Sequence, residues 1–236
     1  MDSQSQSYDG KYSKPSNSLA LGLMGFTLSV GTFSTVLMGW GGSSSLASVV
    51  GIFFFTGPVL LFLSTIFEWI LGNFFNMMLC GFFGVFWSSL GILQLPTANI
   101  ASSYSPAGSA VEGTLTPDYN AGIALYISVL GFAVFTFLIM SLRTNAVLAA
   151  LFADATAGLF TLSASYWKAS LGDFPSALHL KHVSGGLLFV VAMLAWYLTC
   201  ALMLAELAFP FNLPVFDLSH YWPHSGPDLE CADGRA

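Results

Sequence analysis

Six long apolar runs, broken by short polar interruptions, dominate the chain. They cover approximately Leu19–Trp40, Leu46–Leu71, Phe74–Leu93, Gly122–Leu142, Ala146–Trp167 and Val183–Phe209. A bilayer core of about 30 Å needs roughly 20 such residues at about 1.5 Å of rise each. The pattern therefore predicts an all-α polytopic membrane protein with six transmembrane helices. Only Gly72-Asn73 separates the second and third runs, which predicts a tight hairpin, and Arg143-Thr144-Asn145 joins the fourth and fifth just as closely. The one long connection, Gln94–Ala121, is polar and punctuated by Pro96, Pro106 and Pro117, so it reads as a loop. The expected organisation is a polar N-terminal segment (1–18), a single six-helix domain (19–209) and an irregular tail (210–236).

Composition reinforces this picture. Of 236 residues, 55% are apolar and only 8% are charged, against roughly a quarter charged in soluble domains. Such a chain could not cover a water-facing surface, and lipid is the solvent that tolerates it. Six Lys and Arg in total cannot form the basic patch of a nucleic-acid binder. The net charge of −6 comes mostly from loops and tail. No basic stretch with a short apolar core precedes the first run, so that run is expected to serve as its own insertion signal. With the N-terminus inside, cytoplasmic segments would hold Lys11, Lys14, Arg143 and Arg235, and the outside only Lys168 and Lys181. The positive-inside rule then favours both termini in the cytosol. Cys80 and Cys200 lie in apolar runs and Cys231 in the tail, which predicts free thiols. His179 and His182 read as solvated residues of a loop before the last run, without the further ligands a metal would need. No HExxH, P-loop or nucleophile-elbow motif is present. The expectation is a protein that is not an enzyme and needs no cofactor.

Four segments carry candidate chemistry. The first, Ser16-Asn17-Ser18-Leu19-Ala20-Leu21-Gly22, opens the first helix. Ser or Asn there can cap free N–H groups, and a helix N-terminus also attracts anions; both readings stand. The second is Phe67-Glu68-Trp69 followed by Gly72-Asn73. Glu68 can snorkel, pair or serve the solute, and Asn73 is a natural N-cap for the third helix. The third is Gly81-Phe82-Phe83-Gly84-Val85-Phe86-Trp87. Its glycines permit close helix approach, and its aromatics suit either packing or a dry constriction. The fourth is Asp154, about 12 Å into the fifth run and so near the membrane midplane. A carboxylate there is expensive unless paired, hydrated or protonated, which makes it a candidate proton acceptor beside a structural hydrogen bond or a shifted span boundary. Phe26, Phe83 and Asp154 stand about seven to nine residues into helices that enter from one side, so they share one depth.

The segment Asn17–Phe26 resembles the signature N-P-A-P-L-G-L of the acetate uptake (succinate–acetate permease) transporters, with Ser18 and Ala20 where that signature has proline. Glu68–Trp87 is similar to the family's E-[YFW]-x-x-G-N-x-F…Y-G-x-F-W stretch, with Phe83 in place of its Tyr. Ala195-Trp196-Tyr197, Leu213-Pro214-Val215 and Asp217-Leu218-Ser219 resemble the last helix and tail of eukaryotic members. The resemblance implies six helices around a central path, a homo-oligomer that is often a hexamer, and passage of acetate and related small monocarboxylates, usually described as proton symport, with channel-like behaviour as the alternative. It implies a constriction built from Phe26, Phe83 and a fifth-helix position that aligns with Ala155. The expected solute path therefore takes in Asn17, Ser18, Leu21, Gly22, Phe26, Glu68, Asn73, Phe83, Phe86, Trp87, Asp154 and Ala155, in a plasma-membrane protein. The rival expectations are a non-transporting acetate sensor or regulator and an ammonium transporter.

Overall fold

The structure, a computed structural model, describes residues 17–221. The polar segment before them, with Lys11 and Lys14, and the last residues of the tail, with Cys231 and Arg235, lie outside the described residues. Six helices are long and apolar enough to cross a membrane. They are α1 (Leu19–Leu37), α2 (Ile52–Ile70), α3 (Phe74–Gln94), α5 (Pro117–Ser141), α6 (Ala146–Ser170) and α7 (Phe174–Glu206). A short α4 (Ala110–Leu115) lies between α3 and α5. No strand occurs among the described residues, so the expected all-α polytopic fold is the observed one.

Helix ends follow local chemistry. Asn145 accepts a hydrogen bond from the Leu148 N–H at 2.9 Å and so starts α6 immediately after the Arg143–Thr144 turn. Asp173 does the same for α7, accepting from Ser176 N–H at 3.2 Å, with Pro175 in the first turn. α2 opens with a π-helical turn, Ile52–Thr56, and Pro58 follows at the start of its α-helical part. Proline has no N–H to donate to the preceding turn, and a wider π turn is a common accommodation of such a gap.

Two expectations are corrected. α7 begins at Phe174, not Val183, so His179, Lys181 and His182 are helical rather than in a loop. At 33 residues the helix is about 50 Å long and exceeds the hydrocarbon thickness, leaving its first turns to carry polar groups. The connection after α3 is also less irregular than its composition suggests. It contains α4 and two 3₁₀ turns, and Pro117 starts α5 instead of breaking a loop.

The spans form a ring in the order α3–α2–α1–α7–α6–α5. α1 pairs closely with α7, and α6 sits between α5 and α7. Close approach on the α1–α2–α3 side depends on glycine. A Cβ on Gly22 would lie 2.7 Å from Ser64 Oγ and 2.8 Å from Cys80 Sγ, and one on Gly84 would lie 2.7 Å from the Phe62 ring. The ring closes differently at its last joint. α3 and α5 touch mainly through side chains, Phe82 on Phe137 (centroids 5.3 Å) and Ser89 Oγ with Tyr126 Oη (2.5 Å). Between these two bridges lies a lateral cavity of about 630 Å³, lined by residues such as Met77, Gly81, Val85, Phe86, Val129 and Ala133. The described tail folds back on the α5–α6 turn, where Ala146 N–H donates to Phe216 O and Leu218 N–H to Thr144 O.

Candidate functional site: an aromatic-partitioned axial path

Five of the six spans turn an apolar stripe toward the ring axis at helical spacing, beginning with Leu23, Phe26, Val30 and Phe33 from α1, and Leu79, Phe83, Phe86, Trp87 and Leu90 from α3. α5 adds Ile127, Leu130 and Val134, α6 adds Leu148, Phe152, Ala155 and Leu159, and α7 adds Leu188 and Val191. Three small cavities lie in a row along this axis. The one nearest the Glu68 end, of about 10 Å³, is lined by Leu23, Phe26, Leu79, Phe83, Leu148, Leu151 and Phe152. The middle one, of about 30 Å³, is lined among others by Phe26, Phe33, Phe83, Phe86, Trp87 and Ala155. The third, of about 20 Å³, lies toward the Asp173 end and adds Gln94, Tyr126 and Tyr166.

The residues that line two cavities at once are the walls between them. Phe26 and Phe83 divide the first from the middle, with ring centroids 4.8 Å apart at 66°. Phe33, Phe86, Leu130 and Leu159 divide the middle from the third. Phe83 is also stacked on Phe152 (6.3 Å, 14°), and Phe152 on Phe137 (5.8 Å, 24°). Such ring pairs contribute about 1 kcal/mol each beyond area burial, so the partition holds closed without any polar latch. Phe86 and Leu130 line the lateral α3–α5 cavity as well, which makes them the wall between the axis and the membrane side.

At the Glu68 end the chemistry is the opposite. Glu68 is 1% exposed, yet its carboxylate accepts three hydrogen bonds: from Ser18 Oγ (2.5 Å), Asn73 Nδ2 (2.8 Å) and Asn76 Nδ2 (3.1 Å). Ser64 Oγ donates to Ser18 O at 3.0 Å. A buried carboxylate is tolerable only with such partners. The cluster ties the start of α1 to the α2–α3 hairpin.

The sequence-predicted residues therefore separate into groups. Phe26, Phe83, Phe86, Trp87 and Ala155 meet on the axis. Ser18, Glu68 and Asn73 meet in the carboxylate cluster. Asn73 accepts no side-chain cap bond at the start of α3; its amide N–H donates to Glu68 instead. Asn17 Oδ1 accepts from Leu19 N–H at 3.1 Å and caps locally. Gly22 is buried behind the axis against α2 and α3, and Leu21 points outward, 37% exposed. Asp154 lines none of the three axial cavities. It precedes Ala155 by about 100° of helical turn, on the face whose Gly158 packs against Leu187 and Leu188 of α7. One of its carboxyl oxygens is buried without a partner there. Equal depth did not mean equal direction. Phe152 and Phe137 stand where Ala155 was expected to supply bulk, and nothing in the local spacing distinguishes them from the other rings of their runs. Among the described residues no His, Cys, Asp and Glu grouping is placed to hold a metal.

The fold and axis define a polytopic membrane protein whose spans enclose a narrow apolar path. The chain belongs to the GPR1/FUN34/yaaH family, whose model matches residues 4–220. It is 35% identical over 208 residues to protein alcS of Aspergillus fumigatus, covering 87% of this chain and 76% of that one. It is 28% identical over 203 residues to the acetate transporter protein patA of Aspergillus clavatus, covering 86% and 78% respectively. The fold resembles the structure of the bacterial acetate channel SatP, with TM-score 0.64 and 19% identity over 86% of this chain and 99% of that one.

Proposed function

We propose that this chain carries acetate and related small monocarboxylates across a membrane, with the Phe26–Phe83 pair as its gate. The row of three axial cavities divided by aromatic walls is the observation that supports this reading most. The likeness to the acetate transporter patA and to the acetate channel SatP points the same way. Carboxylic acids of this kind ionise at roughly pH 4, so the anion dominates in neutral water, and an anion crosses a dry apolar stretch only at very high cost. The middle and first cavities have no titratable side chain in their lining. In this reading the proton travels on the solute, which passes the rings as the neutral acid. Coupling to a proton gradient follows from that without a proton acceptor at Asp154. Ser18, Glu68 and Asn73 then act as the frame of the entrance, and Phe86, Trp87 and Ala155 as the wall beyond the gate. The Lys and Arg distribution supports cytosolic termini, and a plasma-membrane homo-oligomer is the arrangement we propose from the family resemblance.

The test is uptake of labelled acetate by liposomes containing the purified protein, with and without an inward proton gradient. The expected result is flux above protein-free liposomes, accelerated by external acid and inhibited by excess unlabelled propionate but not by ammonium. Absence of protein-dependent flux would point to a non-transporting family member, and inhibition by ammonium alone to a different solute.

A further inference from the structure

Trp87 is 2% exposed, and its indole N–H is buried without a hydrogen-bond partner in the protein. Rings enclose it: Phe53 stacked at 5.5 Å and 8°, Phe86 at 4.8 Å, Phe33 at 5.9 Å and Phe26 at 6.4 Å. These contacts fix the indole plane but satisfy none of its polarity. Burying an N–H unpaired carries a desolvation penalty, and native structures pair nearly all such groups. A Phe at this position would give the same kind of ring packing without that penalty.

The surroundings indicate what the N–H serves. Trp87 lines the middle cavity, and every other residue in that lining is Phe, Val, Leu or Ala. Trp87 is therefore the only lining residue whose side chain carries a polar atom; in this closed arrangement the N–H is covered by the surrounding rings, and it meets the path when they part. It is a donor and never an acceptor, so it suits a solute that presents oxygen lone pairs and offers nothing to a solute that only donates, such as ammonium. The cavity, about 30 Å³, begins directly behind the Phe26–Phe83 partition. A small acid that has passed those rings, stripped of water, needs one donor for its carboxyl oxygen.

We infer that the Trp87 indole N–H is the hydrogen-bond donor that holds the carboxyl oxygen of a small monocarboxylic acid midway along the axis, and so sets the preference for acceptor-bearing solutes. This inference rests on the transport reading above for its solute, but its test can fail separately. The full-length protein is prepared as wild type, as Trp87→Phe, and with benzothienylalanine at position 87, in which sulfur replaces the N–H at nearly constant shape. In liposomes the half-saturating acetate concentration is expected to rise about fivefold in both variants, while the thermal midpoint of the benzothienylalanine protein stays at the wild-type value. An unchanged half-saturation in that isosteric protein overturns the inference and leaves Trp87 a packing residue, even where Trp87→Phe fails to fold. A second measurement does not depend on flux. In detergent, the ¹⁵N-indole resonance of Trp87, assigned by its loss in Trp87→Phe, is expected to shift as acetate is added. A shift in a protein that moves no acetate would sink the transport reading and keep the donor. Flux with no shift would keep transport and remove the donor.

Discussion

The Glu68 end and the middle of the bundle solve the same packing problem with opposite chemistry. At the Glu68 end three donors converge on one buried carboxylate. About 10–12 Å further along the axis, at about 1.5 Å of rise per residue, the contacts are almost entirely rings on rings. Charge-assisted hydrogen bonds are directional and strong, so the first region fixes three helices relative to one another. Dispersion contacts are individually weak and have many near-equivalent geometries, so rings in the second can part and close again at small cost. The difference teaches where rigidity and softness are placed in this fold: a hydrogen-bonded frame at the Glu68 end, and an aromatic partition behind it.

Breaking the frame is expected to have the largest effect. Glu68→Ala removes the shared acceptor of the Ser18 hydroxyl and the Asn73 and Asn76 amides, three hydrogen bonds at one buried position, and should destabilise the protein by about 3 kcal/mol. Thermal unfolding in detergent checks this; a midpoint within a degree of wild type would mean that the cluster holds nothing together. Opening the partition is expected to have a smaller effect on stability and a larger one on selectivity. Phe83→Ala removes the ring shared by Phe26, Phe137 and Phe152 and should lower stability by about 2 kcal/mol, less than in a water-soluble core because lipid also solvates the exposed rings. Benzoate, which the wild type is expected to exclude, should then enter liposomes at a measurable rate. If flux and solute range are unchanged, the rings are packing and the contrast between frame and gate is lost.

The smallest expected effect sharpens the comparison from the opposite end of the bundle. There the polar contacts are exposed: Asp173 receives hydrogen bonds from Ser176 and lies 3.5 Å from Lys168 Nζ. The Ser176 hydroxyl and N–H, with Lys168, hold the Asp173 carboxyl below the usual carboxylate range. A depressed pKa contributes stability above the unfolded carboxylate value, about 4, and that contribution is lost as pH falls through the folded value. Asp173→Asn should therefore lower the unfolding midpoint slightly at pH 6, and the gap from wild type should close below about pH 4. A gap that persists at low pH would assign the effect to helix capping rather than to charge.

Much of this architecture was legible in the chain because the bilayer imposes a length. Runs of about twenty apolar residues located all six spans, and Gly72-Asn73 and Arg143-Thr144-Asn145 located two turns. The start of α7 was obscured by His179, Lys181 and His182, which interrupt the apolar run although the helix continues through them. Asp173 followed by Pro175 was the signal that marks its true beginning. Within the site, Phe26 and Phe83 were legible from depth and from the resemblance, but their partners were not. Periodicity identifies a buried face only when the other face is polar, and these runs are apolar all round, so neither Phe137 and Phe152, nor the outward placement of Leu21, nor the off-axis placement of Asp154 could be read from spacing. Asn73 and Asn76 lie close enough to Glu68 for a hairpin to bring them together, whereas Ser18, 50 residues away, is a tertiary contact.

The Glu68 cluster also has a consequence for biogenesis. Its members emerge from the ribosome in the order Ser18, Glu68, Asn73, Asn76, so all of them exist once the α2–α3 hairpin begins to insert. Translation runs at about 5–20 residues per second, which leaves several seconds before α7 is complete. The carboxylate therefore never has to wait in the membrane for a distant partner, and α1, α2 and α3 can assemble as a unit while the second half of the chain is still being made. α7, synthesised last, then closes the ring by docking on α1.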